Sequence, residues 1–192
     1  MGGRGSKSQI PKGYAFLGKK GKPKEIDVAK TLANPHFFED KKWQLNCQRC
    51  VYAYEMQRRG YDVEAKPRIL DGTDTLPRSA SPQGWTHVMK GAKLVQMPSR
   101  KTAEHMDDQM AQWGDGARAI VKVTWKGGHS GHVFIAERQY GRTIYIDPQV
   151  GSRIGIDRYM KDAIKGSTQL MRIDNLEPTP LLEKCVSVRQ GK

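Results

Sequence analysis

Asn46-Cys47-Gln48-Arg49-Cys50-Val51-Tyr52-Ala53-Tyr54-Glu55-Met56-Gln57-Arg58-Arg59-Gly60 is the stretch on which the reading of this chain turns. Cys47, Cys50, Val51 and Tyr54 recur at the i, i+3, i+4, i+7 spacing of one helix face. Asn46 suits the N-cap, where a short polar side chain can satisfy an orphan backbone N–H. Gly60 suits the stop, because glycine enters the left-handed conformation at little cost. The pattern predicts an amphipathic helix between these two residues. Cys47 then sits in its first turn, where unpaired N–H groups and the helix dipole stabilise negative charge. A thiol so placed has a lowered pKa, and the thiolate is the nucleophile. The same residue also reads as a small buried hydrophobe, the usual state of a free cysteine.

Downstream of that helix, residues 61–65 alternate like a short strand, and 66–98 are broken by Pro67, Pro77, Pro82 and several glycines. That stretch reads as an irregular excursion with a turn of helix near Trp85. A further helix is expected from Ser99, as N-cap, to Trp113, closed by Gly114. Strands are expected over 117–125, 132–137 and 142–147, a helix over 157–165 and a strand over 168–173. Helices first and an antiparallel sheet after them make an α+β fold.

His132 opens one of these strands and Asp147 closes the next. If Arg138-Gln139-Tyr140-Gly141 is the connecting loop, Glu137 faces Arg142 and His132 faces Asp147, with Cβ atoms about 5 Å apart. A carboxylate at that distance can hold an imidazole in one tautomer. A one-residue slip would put the two on opposite faces, and Gly141 could host such a bulge. A helix-start thiol with a His–Asp pair on a neighbouring sheet is the equipment of cysteine acyl transfer. Cys47 would be the nucleophile, His132 the base and Asp147 the group that orients it. The Cys47 N–H, with the amide of Gln44, would form the oxyanion hole.

Rival chemistries share these residues. Cys47-x-x-Cys50 also fits a redox pair, although the βαβ context that motif wants is poorly supported. Zinc could take the two cysteines with His129 and His132, but the spacing matches no standard finger. His129 is the local rival to His132 as base; it falls in a glycine-rich loop, where geometry is less fixed.

At the level of the whole chain, 192 residues suit one domain with extensions. The expected division is a basic flexible arm over 1–35, a catalytic domain over 36–176 and a loose tail over 177–192. The formal charge of +13, from 33 basic and 20 acidic residues, suits either association with a polyanion or nucleic acid through the arm, or a solvated basic surface. Three cysteines argue against a disulfide scaffold and fit a reducing compartment. No stretch approaches the ~20 apolar residues of a membrane span, and no conventional signal peptide is evident. The start, Met1-Gly2-Gly3-Arg4-Gly5-Ser6, formally matches a myristoylation pattern. The expected location is cytoplasmic, or that of a delivered effector or virion-associated protein.

The stretch from Asn46 to Ala65 resembles the nucleophile helix of the papain-fold toxin family. Gly131-His132-Val133 and Tyr145-Ile146-Asp147-Pro148-Gln149-Val150-Gly151 resemble its histidine and acidic motifs, in the same order. The resemblance covers roughly residues 43–175. It implies a papain-like cysteine hydrolase fold, the three catalytic positions Cys47, His132 and Asp147, and amide chemistry on a protein substrate. The activity it implies is glutamine deamidation of toxin, effector or phage type, with no metal and no organic cofactor. A cysteine peptidase using the same triad, a transglutaminase, or a non-enzymatic basic phage structural or nucleic-acid-associated protein stay open, because machinery alone does not identify a substrate.

Overall fold

The computed structural model describes residues 13–74, 76 and 84–190. Its first helices are short. α1 (Ile26–Leu32) follows a 3₁₀ turn at Ala15–Leu17, and α2 (Lys41–Gln44) is a single turn. The Asp40 side chain caps α2 by accepting the Lys42 N–H at 2.9 Å. α3 (Cys47–Arg58) comes next, followed by β1 (Val63–Ala65), a 3₁₀ turn at Trp85–His87 and β2 (Val95–Gln96).

α4 (Thr102–Trp113) begins two residues later than the Ser99 cap predicted. Lys101 adopts a left-handed φ of 51°, which a helix cannot include. Gly114 closes α4 as expected, its N–H donating to the Met110 carbonyl at 3.0 Å. Then come β3 (Arg118–Thr124), β4 (Gly131–Gln139), β5 (Arg142–Asp147), β6 (Ser152–Arg153), α5 (Ile156–Asp162), β7 (Gln169–Arg172) and, after a 3₁₀ turn at Pro180–Lys184, β8 (Val186–Val188). Among the described residues the strands form a six-stranded antiparallel sheet, ordered β2-β7-β3-β4-β5-β6, and a separate β1–β8 pair.

The long strands alternate, and each face buries its own core. Ile120, Val133, Ile135, Ile146 and Met171 pack toward α3. Ala119, Val121, Phe134, Ala136 and Leu170 pack on the other side with Met106 and Met110 of α4. The expected amphipathic character of α3 is corrected here. Every residue from Arg49 to Gln57 is buried, because the sheet covers one side of the helix and α1, β1 and β8 cover others.

Two boundary expectations also change. Residues 1–12, with the formal myristoylation pattern, lie outside the described residues. The described part of the expected arm packs on the domain: Leu17, Ile26, Ala29 and Ala33 are buried, and Gly21 N–H donates to the Gly60 carbonyl at 2.7 Å. The expected loose tail is likewise integral. Leu182, Cys185 and Val186 are fully buried, and β8 pairs with β1. Apolar burial outweighs the proline and charge signals in both segments.

The β4–β5 connection is tighter than predicted. Gln139 pairs with Arg142, so the loop is Tyr140-Gly141 alone. Both residues have positive φ, 52° and 72°, the pattern of a two-residue turn matched to strand twist. The register is therefore shifted by two residues from the expected one. Two is the side-chain period of a strand, so every residue keeps its face.

Candidate active site

Cys47 is the first residue of α3, with Asn46 at the cap position. The Asn46 side chain does not cap the helix; its Nδ2 donates to the Lys66 carbonyl at 2.7 Å. Cap duty passes to Gln149, whose Oε1 accepts the Asn46 N–H at 2.7 Å. The Gln149 carbonyl in turn accepts Asn34 Nδ2 at 2.7 Å. The Cys47 N–H belongs to the first turn and has no partner within the helix. Its thiol is half-buried at the wall of a cleft of about 430 Å³.

His132 and Asp147 meet, although not as direct cross-strand partners. The two-residue register shift makes them diagonal neighbours on one face, close enough for contact. His132 Nε2 donates to Asp147 Oδ2 at 2.6 Å, with both residues buried. Cys47 lines the same cleft wall as His132, close enough for its sulfur to act on the imidazole. Burial opposes a charge on His132. The hydrogen bonds to Asp147 and Cys47, and the negative charge of those groups, outweigh burial and push the imidazole up to about 10. At neutral pH the ring is an imidazolium beside the Asp147 carboxylate and the Cys47 sulfur.

Asp147 is fixed by more than the imidazole. Its Oδ1 accepts the Gln149 N–H at 3.1 Å, and the Tyr159 hydroxyl donates to Oδ2 at 2.6 Å. Trp125 covers the His132 ring, stacked at 5.7 Å between centroids and 23° between planes. An indole there keeps water from the imidazole–carboxylate bond.

Gln44, expected at the oxyanion position, is the exposed last residue of α2 and lines the same cleft as Cys47 and His132. His129 stands exposed in the β3–β4 loop and does not line it. Cys50 is fully buried, one turn along α3. Among the described residues no group of three or more His, Cys, Asp or Glu side chains could hold a metal ion. Gln149, Trp125 and Tyr159 have no role legible in the sequence. Gln149 stands inside the quoted acidic motif, and the two aromatics read only as parts of a strand end and a helix. An adjoining hollow of about 720 Å³ shares Trp125, His132 and Gln149 with the cleft and adds Asp147, Arg158 and Tyr159.

A cysteine-headed helix laid against a twisted antiparallel sheet, in an α+β chain, is the build of the papain-like folds. The chain belongs to the family described as papain fold toxin 1, glutamine deamidase, whose model matches residues 45–152, more than half of its length. Membership makes it a hydrolase of the deamidase kind. No curated protein and no solved structure matches the chain. Among the described residues no helix is long and apolar enough to cross a membrane.

Proposed function

We propose that the protein is a cysteine-dependent amidohydrolase of toxin or effector type that converts a glutamine side chain of a partner protein to glutamate. One observation carries the reading: His132, hydrogen-bonded to Asp147 at 2.6 Å, lines the same open cleft as Cys47 at the head of α3.

The Cys47 thiolate attacks the amide carbon, and the negative oxygen of the tetrahedral intermediate is met by the Cys47 N–H and the Gln44 amide. The carbon–nitrogen bond breaks as the His132 imidazolium gives its proton to the leaving nitrogen, which departs as ammonia. A thioester on Cys47 remains. Water, deprotonated by the now neutral His132, attacks it and releases glutamate and the thiol. Asp147 keeps the imidazole oriented through both steps and favours its charged form.

Peptide-bond cleavage by the same residues is the second reading. The hollow beyond His132 supports it, since it offers room for a chain continuing past the scissile bond.

Glutamine-bearing peptides incubated with the full chain separate the two. Deamidation releases ammonia and leaves each peptide intact with glutamate in place of glutamine; cleavage produces new amino termini. Either activity should vanish in Cys47→Ser and in His132→Ala. Ammonia release that persists unchanged in Cys47→Ser would overturn the reading.

A further inference from the structure

The Asp147 carboxylate receives more donors than a triad needs. Oδ1 takes the Gln149 N–H, while Oδ2 takes both His132 Nε2 and the Tyr159 hydroxyl, each at 2.6 Å. Tyr159 comes from α5, beyond residue 152 where the family match ends. Its ring is wedged edge-on among the aromatics of the site, with centroids 5.5 Å from Trp125, 5.1 Å from Phe134 and 6.1 Å from His132.

We propose that Tyr159 is a positioning residue that holds the Asp147 carboxylate and, through it, sets the pH range over which His132 keeps its proton. The inference rests on the Cys47–His132–Asp147 reading above. A carboxylate can turn about its Cβ–Cγ bond. With one oxygen tied to the Gln149 N–H and the other to a hydroxyl on a packed ring, it stays turned toward Nε2. The hydroxyl also shares the oxygen that the imidazole uses. Two donors on one oxygen each draw on its charge, so the imidazolium is held less strongly than by a carboxylate with a free lone pair. His132 must give its proton to a leaving nitrogen, and a less tightly held proton is easier to transfer.

Burial, followed by the Asp147 charge and hydrogen bond, pushes the Tyr159 hydroxyl above its ordinary value, so it remains a neutral donor across the working range. Other titratable or charged groups near the pair come from several elements. α3 contributes Cys47 and Cys50, β3 contributes Lys122 and β6 contributes Arg153, while α5 contributes Arg158 and Asp162. Burial keeps Cys50 neutral, and Arg153 is paired with Asp27 at 2.9 Å.

Tyr159→Phe keeps every ring contact and deletes only the donor, so a purely structural aromatic would pass this test unchanged. In the full chain, the His132 ring is titrated by NMR in the parent and in the variant. The expected result is an upward move of the His132 titration by about one pH unit, the size of a change in one charge-assisted hydrogen bond. Fluorotyrosine placed at position 159 is a stronger donor in the same volume and should move the titration the other way. A titration that is unchanged or lowered in Tyr159→Phe, or unmoved by fluorotyrosine should Phe not fold, overturns the inference. Iodoacetamide labelling tests the underlying reading separately: parent Cys47 should outpace Cys50 and Cys185 and lose that lead in His132→Ala. The two readings can therefore fail independently.

Discussion

Cys47, Cys50 and Cys185 are one side chain in different surroundings. Burial raises the Cys50 thiol well above its ordinary value and pushes Cys185 up to about 12, so both stay protonated and inert. Cys47 differs by lying at a helix start, half-open to a cleft, against an imidazole held charged by Asp147. The raised value of His132 fixes the direction of two pH effects. Its contribution to folding is fully present below its ordinary value of 6.5 and is lost as pH rises from there through about 10. Turnover, which needs the imidazolium to protonate the leaving nitrogen, should fall on the same alkaline side, through about 10. Asp147→Asn removes the charge and much of the orientation. The alkaline limb should move down toward 6.5, and turnover at mildly alkaline pH should drop by about 10²–10⁴-fold. A pH–rate profile of the variant checks both, and a limb that stays near the parent's would refute Asp147 as the source of the shift.

At the scale of elements, α3 is held at both ends by groups remote in sequence. Gln149 receives the N–H of its cap residue Asn46, and at its far end Gly60 turns away with a φ of 104°. A Cβ on Gly60 would stand 2.4 Å from the Gly21 carbonyl oxygen, backbone that cannot swing aside. Gly60→Ala should therefore lose about 1–3 kcal/mol to backbone strain alone and peel the segment around Gly21 from the domain. Denaturant unfolding, with proteolysis of the N-terminal segment, measures this; a variant as stable as the parent would show that the contact is dispensable. The helix was legible in the sequence because its cap residue and stopping glycine are local signals. Its all-round burial was not, since the charged Arg49, Glu55, Arg58 and Arg59 suggest a wet face. The β4–β5 register was misjudged by two residues, because Tyr140 at positive φ is a rare choice that composition does not announce. The His132–Asp147 contact survives that error because two residues is one full strand period.

Across the whole molecule, the helix and sheet are bolted together by buried charges. Glu55 of α3 receives Arg118 of β3 at 2.5 and 2.9 Å and Arg59 at 2.7 Å. Glu137 of β4 receives Tyr54 at 2.5 Å and the guanidinium of Arg58. Burial alone would raise Glu55. Arg118 and Arg59 outweigh it and hold its carboxyl below the usual carboxylate range. With a depressed folded value, its stabilisation is present above the ordinary 4.5 and is lost as pH falls below that. Glu55→Gln leaves two guanidinium groups without their counter-charge and should cost about 3–5 kcal/mol, read as a lowered denaturation midpoint. The variant should also lose less stability than the parent between neutral and acid pH; an equal acid loss in both would exclude Glu55 as its source.

The sequence by itself determined the α+β class, the helix that starts at Cys47, the strands that carry His132 and Asp147, and the family resemblance across them. Each of these rests on local periodicity, caps and short motifs, which neighbouring residues specify together. The tertiary structure alone decided that residues 13–35 and the C-terminal segment belong to the domain. It alone brought Gln149, Trp125 and Tyr159 to the candidate site and turned the charges of α3 inward against Arg118 and Glu137. Those outcomes depend on side chains meeting across long sequence separations, and burial and charge pairing between such partners leave no periodic mark in the chain.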